Sequence, residues 1–416
     1  MELADVDLTD PETFRQERHH EMFAVLRRED PVHFHEVEGD AQGFWCVTKH
    51  ADLITVNRDA SVFSSAAHGI NIPDIPEEDG GVRDMMLYMD PPRHTRYRKL
   101  VNKGFTPRMI GLIESHLRAK ATAIVDNVVE QGRADFVEDI AAELPLQAIA
   151  ELMGVPLEDR KQLFAWSNTM IGFDDPEFQG DSEAGMEAAA QMYMMANGLA
   201  ASRRETPRDD IITKLINAEI DGDKLSEAEF DMFFLLLVVA GNETTRNVTA
   251  HGMRALIENP EQMAKLVADP SEERINLAVE EILRWATPVL YFRRTALRDY
   301  ELGGKQIKEG DKVVMWHISA NRDEDVFDDP YAFRVDRSPN DHIAFGGGGP
   351  HFCLGANLAR MELRLIFREL VTRLPDIRFD GDVEMLRSNF IGGIKRMPVQ
   401  WTPSPRSTPS PLTAGV

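Results

Sequence analysis

The sequence predicts a mainly α-helical single domain that carries a few small β-sheets. Three observations lead there. Apolar residues recur at helical spacing over most of the chain, in residues 11–30, 50–60, 109–205, 224–260, 272–285 and onward from Leu358. Strand-like alternation is confined to a hairpin around Val32–Phe34 and Gly43–Val47, and to Lys305–Ile318. The 416 residues, 43% hydrophobic and 28% charged, show neither an internal repeat nor a composition shift that would mark a linker. One domain over residues 1–402 is expected, followed by a Pro/Ser-rich disordered tail, 403–416.

The totals exclude several function classes. A net charge of −24 argues against nucleic acid or an anionic membrane as a global partner. The longest apolar run, Met232 to Gly241, is far short of a bilayer span. The acidic start, MELADVDLTDPETF, lacks the positive region and apolar core of a signal peptide. Cys46 and Cys353 build no disulfide framework. A monomeric cytoplasmic protein without a membrane anchor is expected.

After the first helices, residues 63–89 turn irregular. Pro73, Pro76, Gly80 and Gly81 prevent a long helix, while Ile70, Ile72, Ile75, Met85, Met86, Leu87 and Met89 keep the stretch apolar. That composition fits a lid over a hydrophobe. Asp90 and the prolines then start a helix on which His94 and Arg98 fall four apart, on one face. From Arg93 to Arg108 the chain holds Arg93, Arg96, Arg98, Lys99, Lys103 and Arg108 and no acid. This local reversal reads either as a solvated helix face or as a patch for something acidic. The helices of 109–205 are rich in methionine, Met170 among them, which serves a core or an adaptable ligand wall equally well.

The next helix is the longest. Ser226 and Glu229 form a capping box and Pro260 marks the stop, so about 30 residues run through the core. It is apolar all round from Met232 to Ala240, then meets Gly241, Asn242, Glu243, Thr244 and Thr245. A buried carboxylate needs a partner or a task. Gly241 and a Thr244 bond to the Ala240 carbonyl are expected to interrupt the helix and open a polar notch. A network that fixes helix register would explain the notch; so would a groove for a small polar ligand. Asn242-Glu243-Thr244 and Asn247-Val248-Thr249 match the glycosylation pattern, which a buried helix makes irrelevant.

In the helix of 272–285, Glu281 and Arg284 are i,i+3 partners, by themselves uninformative. PVLYFRRTALRD and the alternating Lys305–Ile318 follow, then FGGGGPHFCLGANLARMELR, residues 345–364. Consecutive glycines are kept where φ is positive or where something bulky lies against the main chain. Cys353 sits at the mouth of a helix, whose N–H groups favour a thiolate. A small buried hydrophobe, a flexible linker, a zinc site and a phosphate loop are the competing readings of this stretch. No second cysteine lies near, and no Lys-Ser/Thr pair follows the glycines. Phe390-Ile391-Gly392-Gly393-Ile394 reads as a tight apolar turn.

Phe345, the glycines, a basic residue and Cys-x-Gly resemble the cysteine-ligand signature of the cytochrome P450 family. The stretch from Phe345 to Cys353 holds one residue more than the commonest form, and His351 stands at the basic position. The similarity covers about residues 10–402, with motifs in the family's order: His94-x-x-x-Arg98, the acid–Thr pair Glu243–Thr244, Glu281-x-x-Arg284, and the Cys353 loop.

The resemblance implies the family's triangular, helix-rich fold and a haem b between the long helix and the Cys353 loop, with Cys353 as thiolate ligand. It assigns His94, Arg98, Arg294 and His351 to the propionates. Ala240, Gly241, Phe345, Gly346 and Gly355 would lie against the porphyrin. Arg337 or Arg334 would close the Glu281–Arg284 pair. Ile72, Met86, Leu87, Met170, Val238, Val239, Val289, Leu290, Phe292 and Ile391 would wall the substrate. The implied activity inserts one oxygen atom of O2 into an unactivated C–H bond of a hydrophobic small molecule, with Thr244 and Glu243 handling protons. The glycine loop, AGNETTRN and RTALRDYEL resemble a bacterial subgroup acting on steroid side chains, methyl-branched lipids and terpenoids. No dinucleotide fingerprint follows a strand, so electrons are expected from a separate acidic ferredoxin and its reductase. The docking site would be the Arg93–Arg108 patch, supported by Arg360 and Arg364. A peroxide-driven peroxygenase would not need the acid–Thr pair, and a haem sensor or carrier would need a signalling module.

Overall fold

The computed structural model describes residues 1–37, 40–75, 82–171, 175–177, 182–220 and 222–407. The helix Glu227–Glu258 sets its frame. The Ser226 hydroxyl accepts from the Glu229 N–H at 3.2 Å, and the Glu229 carboxylate accepts from the Ser226 N–H at 2.9 Å, the reciprocal cap that the sequence implied. Pro260 opens the next helix and ends this one. Phe230, Phe233, Phe234, Leu235 and Val238 are buried, each such side chain stabilising the fold by about 1.5–3 kcal/mol. Helices Glu143–Leu152, Ser182–Glu205 and Glu272–Ala286 pack around this rod, and Pro107–Val128 packs on Ala356–Arg373.

The expected interruption at Gly241 does not occur. The helix is continuous, and the Thr244 hydroxyl donates to the Ala240 carbonyl at 2.8 Å without breaking it. Gly241 answers a packing demand instead: a Cβ there would lie 2.6 Å from Ile149 Cδ1 on the helix Glu143–Leu152.

The strands form small sheets, as expected. Five order as Val32–Val37, Asp40–Val47, Lys312–Trp316, Tyr291–Ala296 and Phe63–Ser64, with the second and third parallel and the other pairs antiparallel. The alternating stretch from Lys305 divides: Lys305–Ile307 pairs with Tyr300–Leu302, Lys312–Trp316 joins the larger sheet, and Ile318 is helical.

Two boundaries differ from expectation. The first helix splits into Pro11–Arg15 and His19–Glu29, because Glu17 takes φ +57° and pairs with Arg254 at 2.7 Å. The tail is not loose at 403. Ser404 N–H donates to the Val129 carbonyl at 3.3 Å, and Ser407 N–H to Asp126 Oδ1 at 2.9 Å; residues 408–416 lie outside the described residues.

A buried ionic cluster ties the helix Glu272–Ala286 to the segment before the glycine loop. Arg284 grips Glu281 at 2.7 and 2.8 Å and donates to the carbonyls of Asn321, Pro330 and Ala332. Arg337 closes it, at 3.0 Å from Glu281 Oε2. Arg334 contributes its backbone N–H, not its side chain. Every donor in the cluster has an acceptor, which lets a buried charge persist.

Candidate functional site

Two regions that the fold otherwise buries are open. On the long helix, Ala240 is exposed and Thr244 half-buried, at mid-length, where Val238 and Asn242 are sealed. In the glycine loop, Cys353 is exposed although protein surrounds it. Gly346, Gly347, Gly348 and Gly349 all have positive φ. A Cβ on Gly349 would overlap the Asn57 carbonyl oxygen, and one on Gly348 would lie 3.1 Å from Arg58 Nε. The run thus presses against the end of the helix His50–Arg58, where Asn57 Nδ2 donates to the Gly346 carbonyl at 2.8 Å. Gly355 is different: a Cβ there would point into open space.

Cys353 N–H donates to the Phe345 carbonyl at 3.0 Å, and Arg360 stacks over the Phe345 ring at 4.6 Å. The helix that follows begins at Ala356. Burial pushes the Cys353 thiol up; the N–H groups of Gly355 and Ala356, with Arg98 and Arg360, pull it back only in part. The expected preference for thiolate is therefore not met by the helix mouth alone, since desolvation wins.

His94 and His351 stack with ring centroids 4.2 Å apart. His94 is 1% exposed and its Nε2 has no hydrogen-bond partner among the described residues. Burial, then Arg98 and Arg294, hold it at about 4. His351 Nε2 lies 3.0 Å from the Met89 carbonyl and 3.1 Å from Ser65 Oγ, and burial keeps it well below its usual range. Arg98 donates to the Phe352 carbonyl at 2.6 Å. Arg294, 4% exposed, donates to the Arg293 carbonyl at 2.9 Å and reaches Asn57 Oδ1 at 3.5 Å. No carboxylate pairs with it among the described residues, and burial pulls it down to about 10. A buried cation without a counterion and a buried imidazole with an orphaned nitrogen call for an anion. A group carrying two carboxylates, as haem b does, would meet that requirement at Arg294 and His94.

Glu243 is 3% exposed and does not turn toward Thr244. Arg246 pairs with its Oε2, and Asn247 Nδ2 donates to its Oε1 at 2.8 Å. Sequence reasoning missed both, although i+3 and i+4 neighbours were readable. It also missed Asn57 and Ser65, which only the fold brings near.

The expected substrate wall divides. Leu87, Val239, Val289 and Phe292 are half-buried and open in part. Val289 bridges Ile391, which brings the apolar turn against this wall. Met86 and Val238 are sealed in the main core. Ile72 and Leu290 pack instead with Phe14, Phe23, Tyr291 and Trp316 in a cluster separate from the main core. The side chain of Met170 lies outside the described residues.

The basic stretch is more neutral than it reads. Arg93 pairs with Asp84 at 2.5 Å, Arg96 with Asp223 and Glu229, and Arg360 with Glu280 at 2.7 Å. Lys99, Lys103 and Arg108 remain exposed.

Comparison with known proteins gives a consistent result. The family model for cytochrome P450 matches residues 112–375. A steroid C26-monooxygenase of Mycolicibacterium smegmatis is 48% identical over 392 residues, 92% of this chain and 90% of that protein. A methyl-branched lipid omega-hydroxylase of Mycobacterium tuberculosis is 43% identical, covering 91% and 90%. The structure of Mycobacterium marinum cytochrome P450 CYP268A2 in complex with pseudoionone superposes with a TM-score of 0.88, at 42% identity, over 95% of this chain and 98% of that one.

Proposed function

Since the chain belongs to the cytochrome P450 family and is a haem b monooxygenase, we propose that it hydroxylates an unactivated C–H bond of a large neutral hydrophobe. Steroid side chains, methyl-branched lipids and terpenoids are the substrate classes. One atom of O2 enters the C–H bond and the other leaves as water, at the expense of two electrons and two protons. The haem supplies O2 binding and O–O cleavage, with Cys353 as the thiolate that donates electron density to the metal.

The chain's own residues do the rest. Arg294, Arg98, His94 and His351 hold the two carboxylates of the porphyrin, and Arg294 gains the counterion it lacks. Leu87, Val239, Val289 and Phe292 exclude water and hold the substrate by apolar contact. The Thr244 hydroxyl, now donating to the Ala240 carbonyl, presents its oxygen to the open face and passes a proton there. Glu243 supplies protons from solvent after its carboxylate swings away from Arg246 and Asn247.

The observation that carries this reading is an otherwise apolar mid-helix stretch in which Ala240 is exposed and Thr244 half-buried, together with an exposed Cys353 in the glycine loop. Substrate-induced shifts of the haem spectrum, measured across steroids, terpenoids and branched fatty acids, test it. Saturable shifts with one class support the reading; shifts only with small polar compounds contradict it. Electrons reach the haem from a separate acidic ferredoxin that docks on Lys99, Lys103 and Arg108, the exposed remainder of the basic stretch. Reversing those three charges should raise the Michaelis constant for ferredoxin and flatten its salt dependence; unchanged kinetics would reject the patch.

A further inference from the structure

We propose that a cavity beside the C-terminal part of the long helix, at His251, Arg254 and Glu258, binds hydrogen phosphate. The cavity measures about 190 Å³ and is lined among others by Glu17, His19, His20, His251, Arg254 and Arg322. Neither Cys353, Thr244, His94 nor Arg294 belongs to its wall.

Arg322 carries the argument. It is 3% exposed, its Nη2 donates to the Trp285 carbonyl at 2.9 Å, and its guanidinium stacks 4.9 Å over the Trp285 ring. Its Nε and Nη1 have no hydrogen-bond partner among the described residues. Other deeply buried arginines hold carboxylates: Arg284 and Arg337 share Glu281, Arg203 holds Asp210, and Arg27 holds Glu324. Arg294 is the exception that a porphyrin carboxylate explains. Arg322 has no such explanation. The carboxylates beside it are already committed, since Arg254 holds Glu17 at 2.7 Å and Glu258 at 2.8 Å. Its charged neighbours include Arg284 and Arg27, each paired with its own carboxylate, and Glu281, which Arg284 and Arg337 already share; burial holds Arg322 down at about 9. A buried, unpaired cation of this kind calls for an anion.

The histidines select which anion. His19 Nδ1, His20 Nδ1 and His251 Nε2 have no hydrogen-bond partners among the described residues. Burial holds His19 at about 3 and His251 at about 4, so both are neutral near pH 7. His19 donates its other N–H to the Thr13 carbonyl and His251 to the Gly392 carbonyl, so the nitrogens left over offer lone pairs. The ligand must then accept from Arg322 and also donate. Hydrogen phosphate does both; sulfate, fully deprotonated, only accepts. A metal cation is disfavoured by Arg322.

The test uses the full haem-loaded chain in phosphate-free buffer. Inorganic phosphate and sulfate are titrated at constant ionic strength, followed by calorimetric titration and by the melting temperature. Saturable binding with phosphate at least tenfold tighter than sulfate is expected. The Arg322→Gln variant should bind phosphate at least tenfold more weakly with its haem spectrum unchanged. Should that variant fail to fold, His20→Leu gives the same reading with a several-fold loss. No saturable phosphate binding, sulfate binding as tightly as phosphate, or phosphate binding equally tight in the folded variants would overturn the proposal.

Discussion

Replacing Arg294 with methionine separates the demands of the protein from those of the haem. The guanidinium is buried, unpaired and held at about 10. That depression corresponds to about 3 kcal/mol of penalty on the charged form in haem-free protein. The penalty is full at neutral pH, where the group is charged in both folded and unfolded chains. It lifts as pH rises through about 10, since the unfolded chain then binds the proton more tightly. Methionine removes the charge at a packing cost below about 1.5 kcal/mol, so the haem-free variant should be as stable as the parent or more so. The haem-loaded variant loses a charged partner, which costs about 2–5 kcal/mol. Opposite shifts add in the binding equilibrium, so haem should bind at least about 100-fold more weakly, mostly through faster release. Transfer of haem to an excess of a scavenging apoprotein measures this, alongside melting of both forms. Equal destabilisation of both forms, with haem retention unchanged, would refute the assignment of Arg294 to a porphyrin carboxylate.

Three further outcomes follow from the geometry. Glu281→Gln leaves Arg284 and Arg337 buried without their anion, and denaturant unfolding should show a loss of about 3–5 kcal/mol. Gly349→Ala faces both φ +79° and the fixed Asn57 carbonyl, for a cost of about 1–2 kcal/mol from the backbone and about 1–3 more from overlap. Gly346→Ala, with its nearest neighbour 3.8 Å away, should lose clearly less in the same melting experiment. Thr244→Ala should keep haem and substrate binding but divert electrons to peroxide, seen as less product per NAD(P)H consumed; an unchanged ratio would remove the hydroxyl from proton transfer.

Features set by neighbours in sequence were legible. Ser226, Glu229 and Pro260 announced the long helix because capping needs only the residues at its ends. The glycine run announced a loop with positive φ, and all four glycines adopt it. Features set across the fold were not legible. The helix break at Glu17 depends on Arg254, 237 positions away. The basic stretch looked unopposed because Asp84, Asp223 and Glu229 lie outside it. Leu290 looked like substrate wall, but it packs with Phe14, Phe23 and Trp316, residues that only the fold brings beside it. Gly241 looked like a helix breaker because Ile149 on another helix could not be foreseen.

The proposed function rests on Cys353 supplying the thiolate that ligates the haem iron. Reduced, haem-loaded protein exposed to carbon monoxide reports that ligation directly through its absorption. The wild-type chain should give the red-shifted band of thiolate-ligated haem, and Cys353→Ser should lose it while Cys46→Ser keeps it. A band typical of imidazole ligation in the wild type, or one that survives in Cys353→Ser, would contradict the account.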